Sequence, residues 1–121
     1  MVFIIDDDRE FAECIARMLK KIANTEVEIF SNGIEAIAAM GGTLPELIFL
    51  DVLLDGPDGF TFLNEIMSYD DTKKIPVVIM SSLKFGKRNL DEYGVVKILD
   101  KAEMVPGDIA EIAERYCHEG N

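Results

Sequence analysis

Residues 47–51 read LIFLD, an apolar run of four residues that ends in an acid, Asp51. Similar, mainly apolar runs lie at residues 2–5, 27–30, 77–80 and 95–99. Short runs with few polar positions are typical of strands in a parallel sheet that is covered on both faces. The sequence therefore predicts five strands of this kind.

The segments between these runs have the periodicity of amphipathic helices. Apolar residues recur at helical spacing from Phe11, Ile34, Phe60 and Ile109 onward. Gly86 and Asn89 interrupt the pattern in residues 84–93, which predict only a short helix. Strands and helices thus alternate along the chain, which predicts one α/β domain over residues 1–121 with a doubly wound, five-stranded parallel sheet.

The composition of the chain argues against some classes of function. The formal net charge is −11, from 12 basic and 23 acidic residues, so we expect no direct binding to nucleic acid or anionic membranes. The apolar start of the chain, residues 1–5, is too short to cross a membrane.

Cys14 and Cys117 have neither CxxC spacing nor nearby histidines, so we expect two buried thiols in a reducing compartment, the cytoplasm.

Chemically active side chains follow the predicted strands. They are Asp6, Asp7 and Asp8 after the first strand, Asp51 after the third, Ser81 and Ser82 after the fourth, and Lys101 after the fifth. The carboxyl ends of parallel strands meet at one edge of a sheet, where ligands bind. Carboxylates about 4 Å apart repel by roughly 4 kcal/mol at an effective dielectric constant near 20, so such a cluster is stable only with a cation or a proton. Oxygen ligands favour Mg²⁺, and the sequence predicts a magnesium and phosphate site.

Four motifs in order carry a family resemblance: IIDDD at 4–8, FLDVLLDGPDG at 49–59, VVIMSS at 77–82 and ILDKA at 98–102. Together they resemble the receiver domain of two-component response regulators over nearly the full length. The resemblance implies a flavodoxin-like (βα)5 fold with strand order 2-1-3-4-5. It also implies a phosphoacceptor switch that receives its phosphoryl group from a histidine kinase, a phosphotransfer protein or a small phosphodonor. The output would pass to a downstream protein or to an effector domain outside this chain.

The resemblance also assigns roles to single residues. Asp51 corresponds to the phosphoacceptor, with the Ser81 hydroxyl and the Lys101 ammonium beside the phosphoryl group. Asp6 and Asp7 correspond to the acidic pair that holds Mg²⁺. Asp51 and the backbone carbonyl of Leu53 would complete the ligands of the ion. The remaining acid of the first motif, Asp8, is expected in the first turn of a helix instead.

The chain departs from the family pattern at several positions. Ile98 stands where a Tyr or Phe commonly reports phosphorylation. Ala102 replaces a proline that follows a cis bond, and we expect a trans bond because a cis bond before other residues costs about 2.5–4 kcal/mol. Leu53 and Leu83 replace polar residues that hold a hydrolytic water, which predicts slow loss of the phosphoryl group.

Two other functions fit parts of the sequence. IIDDD also resembles the nucleophile motif of haloacid-dehalogenase-like phosphatases, with Asp6 attacking and Asp8 acting as acid and base. That fold needs a further acidic strand end after Lys101, where this chain has one helix and a tail. Alternatively, Ile98 and the short helix at 84–93 are compatible with an interaction module of the same fold that is not phosphorylated.

Overall fold

The fold is an open parallel sheet, seen in a computed structural model that describes residues 1–51, 58–81 and 94–117. Its strands are β1 (Val2–Ile5), β2 (Val27–Phe30), β3 (Leu47–Asp51), β4 (Val77–Ser81) and β5 (Val95–Asp100). All pair in parallel, in the order β2-β1-β3-β4-β5. The predicted number, direction and order of the strands are confirmed.

Helices join these strands. They are α1 (Arg9–Ala23), α2 (Gly33–Ala39), α3 (Asp58–Met67) and α4 (Pro106–Tyr116). The short helix predicted at 84–93 lies outside the described residues. No helix among the described ranges is long and apolar enough to cross a bilayer.

Helices cover both faces of the sheet, which explains why the strands are apolar at successive positions. Phe3 and Ile5 of β1 pack on the side of α2 and α3. Val2 and Ile4 point the opposite way, into a cluster with α1 and α4. All four side chains are at least 97% buried. Alternation of side chains along a strand thus fills two separate layers of the core.

The register of the sheet places the strand ends side by side. Ile5 pairs with Leu50, so the following residues, Asp6 and Asp51, are neighbours on adjacent strands. Across the next two strand pairs, Asp51 is opposite Met80, and Ser81 is opposite Asp100. Acids from β1 and β3 and the end of β5 therefore meet at one edge.

Helix α1 has well-defined ends. Its N-cap is Asp8, whose side chain accepts a hydrogen bond from the backbone N–H of Phe11 at 3.1 Å. Its C-cap is Asn24 in the left-handed conformation (φ 52°), a role in which asparagine is often found. The helix therefore begins directly beside the strand-end acids and holds a fixed position there.

The two cysteines differ from the prediction. Cys14 and Cys117 are not joined in a disulfide, and both are only half-buried. Cys117 follows the last turn of α4 and packs at the margin of the cluster between α1, α4 and the sheet. Its position at the margin explains its partial exposure.

Candidate active site at the carboxyl edge of the sheet

The ammonium of Lys101 lies between two carboxylates. Its Nζ is 2.8 Å from Oδ2 of Asp6 and 3.4 Å from Oδ1 of Asp51. The side chains of Asp6, Asp51 and Lys101 are 0%, 8% and 16% exposed. The three ionisable groups come from strand ends that are far apart in the sequence, and the fold brings them into contact. The ammonium is closer to Asp6 than to the predicted acceptor.

The two carboxylate oxygens of Asp6 have different partners. Oδ1 accepts a hydrogen bond from the backbone N–H of Asp8 at 2.8 Å. Oδ2 is buried and, among the described residues, has no hydrogen bond of good geometry, although the Lys101 ammonium lies close to it. A buried carboxylate oxygen without a full complement of partners favours an added cation.

Three acids form a group suited to a metal ion. Asp6, Asp7 and Asp51 each offer a carboxylate oxygen, and these oxygens lie within 4.8 Å of one another. Asp7 is exposed, which leaves one side open to solvent. Ligands of oxygen alone fit a hard divalent cation such as Mg²⁺, which keeps several of its waters. The fourth predicted ligand, the carbonyl of Leu53, lies outside the described residues.

Burial and charge change the acid–base properties of the site. The pKa of Asp51 is raised from 3.8 to about 6, mainly by burial and also by the negative charge of Asp6, against the opposing effect of Lys101. For Lys101, burial lowers the pKa, but its contacts with Asp6 and Asp51 outweigh burial and hold the pKa above its usual 10.5. The lysine therefore stays charged at neutral pH, and Asp51 releases its proton at about pH 6.

Ser81 and the turn after β5 complete this edge. Ser81 is 98% buried, and its backbone carbonyl accepts the N–H of Lys101 at 2.8 Å. Oδ1 of Asp100 accepts the N–H of Ala102 at 2.8 Å, which fixes the turn that carries the lysine. The Lys101–Ala102 bond is trans, so that prediction is confirmed.

One residue of the site was missed by sequence reasoning. The sequence identifies Phe11 only as part of the apolar stripe of α1, yet its ring lies beneath Lys101, with Nζ 4.5 Å from the ring centroid. The available signal was its position three residues after the capping acid Asp8, in the turn nearest the strand ends. Asp8, predicted as an acid of the first helical turn, is instead the N-cap residue directly before that turn.

Comparisons with known proteins agree on one family. Residues 2–113 match the response regulator receiver domain. The chain is 38% identical over 82 residues to protein-glutamate methylesterase/protein-glutamine glutaminase 3 of Rhodospirillum rubrum, and 35% identical over 105 residues to enzyme 1 of that name from Chromobacterium violaceum. These alignments cover 68% and 83% of this chain but only 21% and 28% of the relatives. The activities in their names are therefore not assigned to this chain.

Solved structures show the same architecture. The receiver domain of NtrX from Brucella abortus is 25% identical, with a TM-score of 0.74 over 95% of this chain and 96% of that one. The signal receiver domain of a histidine kinase from Syntrophus aciditrophicus is also 25% identical, with a TM-score of 0.78 over 94% and 86%. The similarity thus extends over nearly the whole of this chain.

Proposed function

We propose that this chain is a switch of two-component signalling and that Asp51 is its phosphoacceptor. The proposal starts from the family, because the chain belongs to the response regulator receiver domain family. One observation carries the assignment of the site. The Lys101 ammonium lies between Asp6 and Asp51 at the carboxyl edge of the sheet, next to the group of acids suited to a cation. This arrangement combines a carboxylate nucleophile with the positive charge that phosphoryl transfer requires.

The proposed reaction is one displacement at phosphorus. An ionised oxygen of Asp51 attacks and forms a new O–P bond. The bond from phosphorus to the imidazole nitrogen of a phosphohistidine, or to the acetate oxygen of acetyl phosphate, breaks and its electron pair leaves with that group. Because the pKa of Asp51 is about 6, the carboxylate is mainly ionised at neutral pH. Lys101 then offsets part of the negative charge that develops around phosphorus.

Asp6, Asp7 and Asp51 would hold the magnesium ion, with the Leu53 carbonyl as a further ligand by family resemblance. Bound Mg²⁺ supplies positive charge that reduces the repulsion between the acids and the incoming phosphoryl oxygens. Ser81 ends the strand next to Lys101, and we assign its hydroxyl to one phosphoryl oxygen. The metal assignment is supported by the group that Asp6, Asp7 and Asp51 form.

The test is uptake of one phosphoryl group from acetyl phosphate with Mg²⁺, followed by intact-mass measurement. We expect uptake in the wild type and none in Asp51→Asn, because an amide is not a nucleophile of comparable strength. Asp8→Asn is the matched control, since asparagine caps helices as well as aspartate does. It should be labelled normally.

The same variants separate the alternatives. A haloacid-dehalogenase-like phosphatase would turn over a phosphoester without Asp51 but not without Asp8. An interaction module that is not phosphorylated would take up no label in any form, although it would keep its fold. Either result would replace the function proposed here.

The partners proposed for the chain follow from its family. The donor would be a histidine kinase or a phosphotransfer protein, and the output would go to a downstream protein or an effector domain. Ile98 of β5 is 37% exposed and occupies the position of the usual aromatic switch residue. We therefore propose an output that does not depend on rotation of a ring at this position.

A further prediction concerns the lifetime of the phosphoryl group and rests on sequence alone, because Leu53 and Leu83 lie outside the described residues. Neither leucine can orient a water by hydrogen bonding, whereas one modest hydrogen bond corresponds to roughly tenfold in rate. We expect Leu53→Asn and Leu83→Glu each to shorten the lifetime by up to about tenfold. Decay of labelled protein after removal of the donor measures this. Unchanged decay in both variants would show that these positions do not control water access.

A further inference from the structure

The ring of Phe11 is in contact with the reactive lysine of the site. Nζ of Lys101 lies 4.5 Å from the ring centroid, and the lysine side chain is only 16% exposed. An aromatic face attracts a cation at this distance, more strongly where water is excluded. On this basis, and resting on the function proposed above, we propose that Phe11 is a positioning residue that holds the Lys101 ammonium beside Asp6 and Asp51.

The residues around the ammonium form a closed circuit of contacts. Oδ1 of Asp6 accepts the N–H of Asp8, and the Asp8 side chain in turn accepts the N–H of Phe11. The Phe11 ring contacts the ammonium of Lys101, which lies 2.8 Å from the other oxygen of Asp6. The carboxylate that attracts the ammonium thus also orders the turn that carries the ring. A change in the ring should therefore alter the position of the Lys101 ammonium.

The ring has a property that a carboxylate lacks in this place. It attracts the ammonium through its π face without accepting a hydrogen bond of ordinary strength, so the N–H donors stay available for Asp6, Asp51 and an incoming phosphoryl group. Lysine has a flexible four-carbon stem, and limiting its freedom lowers the entropy lost when reactive groups are brought together. Phe11 would therefore raise the rate of transfer without contacting phosphorus.

A purely structural role is the competing explanation. Phe11 is half-buried and packs beside the cluster between α1, α4 and the sheet. An aliphatic side chain of similar size would serve that purpose. The two roles differ in their dependence on the electrons of the ring, because fluorination weakens the negative face while it changes the volume only slightly.

The experiment compares Phe11→Leu, Phe11→Tyr and a series in which the residue-11 ring carries one, two or three fluorines. The readout is the rate of phosphorylation by acetyl phosphate at saturating Mg²⁺. We expect Phe11→Leu to be about threefold to tenfold slower, Phe11→Tyr to be near wild type, and the rate to fall stepwise with fluorination.

Phe30 provides the matched control. It is also partly exposed, its ring contacts Phe3, and no cation lies over it in the described part of the chain. Fluorination there should leave the rate unchanged.

A second measurement does not depend on phosphorylation. Phe11→Leu and Lys101→Met, singly and combined, form a double-mutant cycle on urea unfolding without any phosphodonor. We expect the two sites to be coupled by about fivefold in the unfolding equilibrium constant. If the wild type took up no label, the function proposed above would fail while this coupling still tested the contact. Equal rates across the fluorinated series, or no coupling in the cycle, would overturn the positioning role of Phe11.

Discussion

Replacing Lys101 with methionine should destabilise the protein without metal by about 2–3 kcal/mol at neutral pH. Methionine retains a long apolar stem but removes the charge that faces Asp6, whose side chain is fully buried. Removing one partner of a buried ion pair typically costs about 3–5 kcal/mol, because the other charge is left without compensation. We expect less here because the lysine is 16% exposed and because Asp51 can take up a proton. Urea unfolding in the presence of a chelator measures the change.

Lys73→Met is the matched control for this experiment. Its Nζ lies 2.9 Å from Oδ1 of Asp70, but the two side chains are 46% and 96% exposed. Exposed pairs of this kind contribute about 0–1 kcal/mol, so this variant should unfold almost as the wild type does. Mg²⁺ should restore part of the stability lost in Lys101→Met, since an ion at the acids replaces some of the missing positive charge. Equal stability of Lys101→Met and Lys73→Met would show that the ammonium does not stabilise the buried acids.

Most of the fold could be predicted because its central strands, β1, β3 and β4, are buried on both faces. The run 47–51 is apolar up to Asp51 since Leu47 and Phe49 fill one layer of the core and Ile48 and Leu50 fill the other. Such a strand has no polar face, so its sequence pattern is not mistaken for that of another type of element. The acids and the lysine were equally predictable, because a side chain directly after a parallel strand must lie at the ligand-binding edge.

The contacts within the site were less predictable. The family resemblance places Lys101 beside the acceptor, and its ammonium does lie 3.4 Å from Asp51, but it is closer to Asp6, at 2.8 Å. The approach of Phe11 to Lys101 likewise depends on how α1 packs beside the end of β5, which local periodicity does not specify. Sequence patterns identify the edge at which groups meet, but the choice between neighbours a few ångströms apart depends on tertiary packing.

The raised pKa of Asp51 also has a defined effect on stability. Its folded value of about 6 lies above the ordinary 3.8, so the folded protein binds this proton more tightly than the unfolded chain. The resulting stabilisation is fully present below about pH 3.8 and is lost as the pH rises through about 6. The contribution of Lys101 is lost only above its usual pKa of 10.5, outside this window. Without metal, ionisation of Asp51 therefore lowers the stability of the protein between weakly acidic and neutral pH.

The affinity for Mg²⁺ should depend on the protonation state of Asp51. An ion that binds the Asp51 carboxylate must displace the proton, so affinity should be constant above about pH 6 and should fall about tenfold for each pH unit below it. Calorimetric titration of the wild type between about pH 7 and about pH 5 measures this dependence. Asp51→Asn should bind the ion more weakly at neutral pH and should lack this step, because its amide does not titrate there. The difference between the two profiles isolates the contribution of Asp51. Parallel profiles would mean that Asp51 does not exchange a proton for the ion, and would remove it from the proposed ligands.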